Sequence, residues 1–358
     1  MGPLGGASEV EFLGDGHEVL QLTLLHAQML IGWGDEVDRN YSLVANAWPR
    51  QSLPRHPILS EELVTMNVFL TGATGHIGSA VLPALISAGH SVTALVRSEP
   101  KVAAVRAAGA EAVVGDLRDL DLVRRLAAGA EAVIATASPG DATSSAVETA
   151  FTEAALDGLR PGATFLRTGG VWVHGSAPDI TEETPRNAPP LVEWREELDS
   201  RVLTAPGIRS IIIEPGTVYG NGIGIPTLVF AGERVGDPAA LRLVGPGTQH
   251  WTTVHVDNLA ELYVAALEQA GSGSVYLGVS GDNPTVRELG EAASRRLGLD
   301  GRVVAEDAAA LVERLGGFGE ALLLDQQATG EKARRELSWK PSRRSLVEEF
   351  AAGGYDPA

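Results

Sequence analysis

The sequence predicts an α/β fold in which helices cover both faces of a doubly wound parallel sheet. From residue 66 onward, short apolar runs alternate with stretches of helical spacing, and some runs, such as residues 210–213, are almost continuously apolar. Such runs are typical of strands buried on both faces of a parallel sheet. The alternation is typical of repeated right-handed βαβ units. Strands are predicted at 67–71, 91–97, 111–115, 131–137, 163–168 and 208–214.

Three segments are predicted along the chain. Residues 1–65 do not share the alternation, and we interpret them as a dispensable extension before a working start at Met66. The alternative is an amphipathic helix around 17–31 that docks on the body or on a partner. Residues 66–220 carry most of the sheet. Because the strand-helix rhythm loosens after about residue 215, residues 221–358 are predicted to form mainly a smaller lobe, with some elements returning to the sheet.

Composition excludes several classes of function. The 358 residues include 46 acidic and 28 basic side chains, a formal charge of −18, which argues against a nucleic-acid surface. The absence of cysteine removes disulfides, a thiol nucleophile and Cys-ligated metal sites, and no metal site is expected. No early stretch resembles a membrane span or a secretory signal, so a cytoplasmic protein is expected. The chain has only three lysines, which are Lys101, Lys332 and Lys340.

A glycine-rich turn directly follows the first predicted strand. It reads TGATGHIG over residues 71–78 and leads into a helix. Gly72 and Gly75 allow the backbone to turn tightly against a pyrophosphate, while Gly78 allows the helix to pack closely on the sheet. The helix N-terminus adds free N–H groups and a positive dipole end. Strand, glycines, helix and next strand occur in the required order, so this segment predicts a Rossmann-type dinucleotide site.

The end of the second strand indicates which dinucleotide is bound. Sites selective for NAD place a carboxylate there to accept from the ribose 2′-hydroxyl. This chain has Arg97 and Ser98 instead, and an arginine can form forked bonds to a 2′-phosphate. The alternative is that Arg97 is an ordinary surface arginine. The sequence therefore predicts NADP(H) as the cofactor.

With its glycine spacing and Gly115-Asp116-Leu117 after the third strand, residues 66 to about 350 resemble the extended short-chain dehydrogenase/reductases, the superfamily of nucleotide-sugar epimerases and dehydratases. Further landmarks are residues 171–175 (VWVHG), 214–220 (EPGTVYG), 255–260 (HVDNLA) and 337–341 (LSWKP). The resemblance implies that Asp116 accepts from the adenine amino group. The expected cofactor-binding residues are Gly72, Thr74, Gly75, His76, Ile77, Gly78, Arg97, Ser98, Asp116, Leu117, Ala135, Thr136, Ala137, Thr168, Pro215, Gly216 and Val218.

The catalytic motif of that superfamily is missing. Its members use a Ser or Thr at the end of the fifth strand and a Tyr-x-x-x-Lys helix, in which lysine lowers the tyrosine pKa. No Tyr-x-x-x-Lys occurs anywhere in this chain, and the serine position falls on Thr168-Gly169-Gly170. Thr168 is the only hydroxyl there. We therefore identify an atypical member.

Other groups could supply a proton or hold the substrate. Thr168, Tyr219 and His174 are the candidate catalytic residues, although Thr168 could bond nearby backbone and the other two could serve in packing. Water or an acidic hydroxyl on the substrate could also supply the proton. Trp172, Trp194 and Arg195 are the candidate substrate-pocket residues. The favoured interpretation of Arg195 is, however, a surface pair with Glu193 or Asp199.

Two further sites have structural explanations. His255 and Asp257 have the residue types of metal ligands, but Asp257 is expected to cap the helix that follows it, with His255 packed underneath. Thr285 and Glu288 have the spacing of a capping box.

These observations predict an NADPH-dependent reductase of a ketone on a hydrophobic, polycyclic small molecule. Among short-chain reductases without the tyrosine, the chain resembles actinomycete enzymes of antibiotic biosynthesis that reduce aromatic polyketides, angucyclinone-type ketones included. Two alternatives remain, a nucleotide-sugar epimerase or dehydratase and a non-catalytic NADP-binding sensor. Resemblance also implies a homodimer formed through the helices at 144–159 and 190–204.

Overall fold

The computed structural model describes residues 65–356. The predicted extension and the alternative helix around 17–31 lie outside the described residues. The division of the remainder near residue 220 stays a prediction.

The core of the fold is a sheet of seven parallel strands, as predicted. The strands are β1 (Asn67–Thr71), β2 (Ser91–Val96), β3 (Glu111–Val114), β4 (Ala132–Ala135), β5 (Thr164–Thr168), β7 (Arg209–Pro215) and β12 (Ser274–Gly278). All six strands expected from the sequence are present, and β12 joins them from the C-terminal part of the chain. Their order across the sheet is β12-β7-β5-β4-β1-β2-β3, so the chain runs outward from β1 in both directions.

Helices cover both faces of this sheet because its strands carry apolar side chains on both faces. In β1, Val68 and Leu70 belong to one apolar cluster, whereas Phe69 belongs to another on the opposite face. The first face carries α1 (Gly78–Ser87), α2 (Glu99–Ala107), α7 (Val256–Gln269) and α11 (Glu331–Leu337). The second carries α3 (Leu120–Ala128), α4 (Ser144–Gly158) and α5 (Arg195–Leu203).

A second apolar core is formed mainly by residues after 215. It includes Phe230, Leu241, Trp251, Leu289 and Phe350. Its helices are α6 (Thr227–Phe230), α8 (Val286–Arg296), α9 (Ala308–Leu315), α10 (Gly317–Leu322) and α12 (Leu346–Ala352), and its three-stranded sheet holds β9 (Arg234–Val235), β10 (Ala240–Arg242) and β13 (Val303–Val304).

Two short parallel pairs connect this core to the carboxyl end of the large sheet. They are β8 (Thr217–Tyr219) with β11 (Thr253–His255), and β6 (Ala177–Ile180) with β14 (Gln326–Ala328). A single 3-10 turn, Val171–His174, follows β5. No helix within residues 65–356 is long and apolar enough to cross a bilayer.

The caps of two helices test predictions made from the sequence. The capping box of Thr285 and Glu288 is present at the start of α8. Asp257, in contrast, is not the cap of α7. That role belongs to His255, whose Nδ1 accepts from the Asp257 N–H at 3.1 Å, because His255 is the last extended residue before the helix.

Candidate functional site

The glycine turn after β1 packs so tightly that side chains would not fit. Gly72 has a φ of +73°, and a Cβ there would lie 2.6 Å from the Thr136 Oγ1 at the end of β4. A Cβ on Gly78 would lie 2.1 Å from the Gly72 carbonyl oxygen. The turn is therefore held between β4 and the start of α1. Thr136 adds a hydrogen bond of 2.7 Å to the Thr71 carbonyl oxygen.

A cavity of about 330 Å³ opens between this turn and the ends of β2, β3 and β4. Ten of the expected cofactor residues line it: Gly72, Thr74, Gly75, His76, Ile77, Arg97, Asp116, Leu117, Thr136 and Ala137. Seven expected residues do not line it: Gly78, Ser98, Ala135, Thr168, Pro215, Gly216 and Val218.

The seven residues outside the lining are distributed over several elements of the fold. Ser98 is the residue before α2 and makes no side-chain cap bond. Gly78 is buried under the turn, and Thr168 ends β5, one strand beyond the cavity. Pro215 ends β7, and a Cβ on Gly216 would lie 2.4 Å from the Thr252 carbonyl oxygen, so this segment packs against the chain before β11.

Two cations line the cavity in addition to Arg97. Lys101 lies in the first turn of α2. It was not predicted from the sequence, because Arg97 precedes the helix and no helical spacing links the two residues. Arg118 also lines the cavity. It is held by the Thr143 hydroxyl at 3.1 Å, and its backbone N–H donates to Asp116 at 2.9 Å.

His76 lies where the glycine turn meets the later part of the chain. Its Nε2 is buried and has no hydrogen-bond partner among residues 65–356. A Cβ on Gly224 would lie 2.9 Å from its Cε1. Burial lowers the pKa of His76, the Gly220 backbone opposes that shift, and nearby His255 lowers the pKa further. The imidazole is therefore neutral near pH 7 and can donate or accept.

The carboxyl ends of β5 and β7 carry a buried chain of ion pairs on the second face of the sheet. Arg167 of β5 bonds to Asp199 of α5 and, at 3.3 Å, to Glu148 of α4. Arg186 donates to Asp199 at 2.6 Å and to Glu214 of β7 at 2.9 Å, and so links these two carboxylates. Apart from Arg186, all these side chains are almost fully buried. Burial raises the pKa of Asp199, and its two arginine partners oppose that rise.

Most of these residues were not predicted from the sequence to belong to a site. The available signal was a charged residue at the end of an otherwise apolar strand, as in residues 164–168 (TFLRT) and 209–215 (RSIIIEP). A charge at such a position must be paired, because burying it alone costs several kcal/mol or more.

His174 belongs to this chain of ion pairs. Its Nε2 lies 2.8 Å from the Glu214 Oε2, and its Nδ1 lies 3.0 Å from the Thr184 carbonyl oxygen. Both ring nitrogens are therefore engaged within the protein. This geometry favours the packing alternative over direct proton donation by His174.

Tyr219 and Thr168 are also hydrogen-bonded. Tyr219 is fully buried and donates to the Arg344 carbonyl oxygen at 2.5 Å. Burial raises its pKa, so its geometry too favours packing. Thr168 is half-buried, and its Oγ1 lies 2.5 Å from the hydroxyl of Tyr263 on α7. Sequence reasoning did not identify Tyr263, because no spacing links it to Thr168.

Arg195 does not form the surface pair that the sequence favoured. Its Nη1 donates to the Gly169 carbonyl oxygen at 3.2 Å, and its guanidinium lies 5.4 Å from the centre of the Trp194 ring. Neither Glu193 nor Asp199 is a salt-bridge partner, because the start of α5 turns the side chain inward over the end of β5. Burial lowers the pKa of Arg195, and nearby Glu148 opposes that shift.

The two predicted tryptophans lie in different places. Trp172, in the 3-10 turn, makes an edge contact with Phe318 of α10 at 6.0 Å between ring centres. Trp194 comes directly before α5 and donates to the Leu191 carbonyl oxygen at 3.1 Å. Phe318 was not singled out from the sequence. The Trp172–Phe318 pair places apolar surface beside the end of β5.

Comparison with known proteins agrees with the nucleotide-binding turn described above. A family model described as NAD(P)H-binding matches residues 72–269. An uncharacterized protein of Schizosaccharomyces pombe is 30% identical over 301 residues, covering 81% of this chain and 100% of that protein.

An enzyme of Stigmatella aurantiaca, named 4-hydroxy-2-methyl-3-oxo-4-farnesyl-3,4-dihydroquinoline-1-oxide ketoreductase, is 28% identical over 228 residues, covering 59% of this chain and 67% of that enzyme. The crystal structure of dTDP-glucose 4,6-dehydratase from Bacillus anthracis in complex with NAD has a TM-score of 0.65 at 17% identity, covering 81% of this chain and 97% of that one. At that identity the likeness establishes the fold alone.

Proposed function

The chain belongs to the NAD(P)H-binding family, and from that premise we propose that it is an NADPH-dependent reductase of a ketone on a hydrophobic, polycyclic small molecule. One observation carries the proposal. The nucleotide cavity opens at the end of β4, and the neighbouring strand, β5, ends at a paired hydroxyl, Thr168, and a half-buried arginine, Arg195, with no Tyr-x-x-x-Lys motif in the chain.

The residues around the cavity fit a dinucleotide. Because Gly72 and Gly78 carry no side chain, the turn can pack tightly against Thr136 and its own backbone, and a turn of this kind brings backbone N–H groups to a pyrophosphate. Beside the same turn, the buried Nε2 of His76 has no partner in the part of the chain that the structure describes. Asp116 and Leu117 line the part of the cavity near β3, where an adenine would lie.

Preference for NADPH over NADH is supported by the charges at the end of β2. Arg97 and Lys101 line the cavity there, and no carboxylate ends the strand. An NAD site places an acidic residue at this position, whereas two cations suit a 2′-phosphate.

A bound dihydronicotinamide supplies the hydride for carbonyl reduction. The protein's own residues then need to orient the ketone and stabilise the negative charge that develops on its oxygen. We assign this role to Arg195 and the Thr168 hydroxyl, which both lie at the end of β5. Thr168 can keep its hydrogen bond to Tyr263 while it donates to the substrate oxygen.

The substrate class is supported by apolar side chains near β5. Trp172 and Phe318 form an aromatic edge contact there. The Stigmatella aurantiaca relative is named for a 3-oxo dihydroquinoline oxide, which is a ketone on a fused ring. We extend the proposal to an aromatic polyketide of antibiotic biosynthesis and to a homodimer, both from the resemblance stated above, and to the cytoplasmic location expected from the sequence.

The test is consumption of reduced cofactor with purified protein. NADPH absorbance is followed with a panel of fused-ring ketones and, as controls, with simple aliphatic ketones. We expect turnover with fused-ring ketones, and a lower kcat/KM with NADH. Tight NADPH binding without turnover of any ketone contradicts the reductase and favours the sensor. Turnover of a nucleotide sugar instead favours the epimerase or dehydratase.

A further inference from the structure

The ionic groups beside β5 leave one positive charge uncompensated. Glu148, Arg167, Asp199 and Arg186 alternate in sign along one chain of contacts, so their charges sum to zero. The next pair is Glu214 with His174.

The charge of the Glu214–His174 pair follows from its hydrogen bonds. The Nδ1 of His174 faces a carbonyl oxygen, which can only accept, so Nδ1 carries a proton. Its Nε2 faces the Glu214 carboxyl group at 2.8 Å. A proton must lie between these two atoms, on one or the other. The pair is neutral in either case, and the six groups together are neutral.

Arg195 is the additional cation beside this neutral set. Its only hydrogen bond within residues 65–356 goes to the Gly169 carbonyl oxygen, and its buried Nε has no partner there. Leaving a buried donor unsatisfied costs about 1–3 kcal/mol, and more when the group is charged. A guanidinium held in this way is a ready site for an anion.

Arg195 lies at the end of the strand next to the one that leads to the cofactor cavity. Its Nη1 lies 3.0 Å from the point where a Cβ of Gly170 would stand, just past the end of β5. The neighbouring strand β4 leads to Thr136 and Ala137, which line the cavity. Arg195 is half-buried, so a ligand entering from that side can reach it.

We propose that Arg195 binds an anionic oxygen of the substrate, supplied by an ionised ring hydroxyl or a carboxylate next to the ketone. This rests on the proposed reductase function and narrows its substrate class. The planar guanidinium offers a forked pair of donors, which suits a carbonyl oxygen and a neighbouring anionic oxygen held in one plane. The Trp194 ring under the guanidinium fixes its orientation.

The experiment measures binding by calorimetry on the full chain saturated with NADP⁺. The probes are 2-hydroxy-1,4-naphthoquinone, whose hydroxyl is ionised at neutral pH, and its neutral 2-methoxy ether. Naphthalene-2-carboxylate and its methyl ester form a second pair, which distinguishes a carboxylate from a ring hydroxyl. We expect at least one anion to bind about tenfold or more tightly than its neutral partner.

Arg195→Gln should abolish that preference, because it weakens binding of the anion by about tenfold or more and binding of the neutral ether, which can accept only through its carbonyl oxygen, by much less. Arg195→Lys keeps the positive charge but lacks the forked pair of donors, so it should retain part of the preference for the anion. The matched control is Arg201→Gln on the same helix, whose guanidinium pairs with Glu153 and Glu197 on the surface. A preference that survives in Arg195→Gln overturns the proposal, and so does equal binding of anions and neutral partners to the unmodified protein.

Failure of this inference can be distinguished from failure of the reductase proposal. NADPH consumption with neutral ketones, with no preference for anionic ones, overturns the role of Arg195 and leaves the reductase standing. Arg195-dependent anion binding without turnover of any ketone supports the anion site and overturns the reductase.

Discussion

The hydroxyl groups of Thr168 and Tyr263 lie 2.5 Å apart at the end of β5. Tyr263 is fully buried on α7, and burial raises the pKa of its hydroxyl. In such a pair one hydroxyl donates to the other, which leaves one proton free. If Tyr263 donates, the proton of Thr168 is free to reach a substrate oxygen. Tyr263 would then orient the donor without touching the substrate.

Replacement of Tyr263 by Phe tests this arrangement. Without the Tyr263 hydroxyl, Thr168 loses the hydrogen bond that orients it. A hydrogen bond of this kind contributes about 0.5–1.5 kcal/mol of free energy. We expect kcat with NADPH and a ketone to fall by about three- to tenfold while KM changes little. Tyr276→Phe is the control, because its hydroxyl bonds to Glu336 away from β5. Equal kcat values for both variants would show that the pair serves packing only.

Cofactor preference should depend on the two cations after β2. Arg97→Ala and Lys101→Ala are each expected to raise the Kd of NADPH by about tenfold, since each removes a charge-assisted bond to the 2′-phosphate. The Kd of NADH should change by less than about twofold. Arg106→Ala is the control, because it lies exposed in the last turn of the same helix. Equal losses for both cofactors contradict the phosphate assignment.

The glycine turn should not tolerate a methyl group at Gly78. Its Cβ would meet the Gly72 carbonyl oxygen at 2.1 Å, so α1 or the turn must move. We expect Gly78→Ala to lower the free energy of unfolding by about 1–3 kcal/mol and to weaken cofactor binding. In Gly129→Ala the nearest contact is 3.6 Å, and φ is −86°. That variant should match the unmodified protein in urea unfolding and in NADPH titration.

The buried ion pairs make a sharp prediction for stability. Asp199 accepts from both Arg167 and Arg186, so Asp199→Asn leaves the buried guanidinium of Arg167 and the half-buried one of Arg186 without their shared counter-charge. We expect a loss of about 3–5 kcal/mol in the free energy of unfolding. Glu197→Gln, which removes an exposed pair with Arg201 on the same helix, should cost less than about 1 kcal/mol. Similar losses in the two variants would contradict the assignment.

The sheet and the nucleotide turn could be predicted because their signals are local. Apolar runs, helical spacing and three glycines are readable within a few residues, and each strand expected from the sequence is present. The cofactor residues on the turn could be predicted for the same reason, because they are contiguous in the sequence.

The chemistry at the end of β5 could not be predicted in the same way. Thr168 and Tyr263 are 95 residues apart, and Arg167 and Asp199 are 32 apart. Only the packing of helices on the sheet brings these pairs together. Arg195 shows the difference most clearly, because sequence neighbours suggested a surface pair, whereas the fold turns its side chain inward to Gly169.

The two histidines near the glycine turn should make stability depend on pH. Burial lowers the pKa of both His76 and His255 below 6.5, although Asp257 opposes the shift at His255. Well above pH 6.5 both are neutral in the folded and the unfolded chain. As pH falls through 6.5, the unfolded chain binds protons that the folded chain does not bind, so the free energy of unfolding falls.

Urea unfolding of the cofactor-free protein between pH 7.5 and 5.5 measures this effect. We expect the midpoint to decrease with pH in the unmodified protein and to decrease less in a His76→Gln, His255→Asn double variant. Asparagine keeps an acceptor at the start of α7, so the cap that His255 provides is retained. Because neither replacement titrates in this range, a double variant with the full decrease would show that other groups cause it.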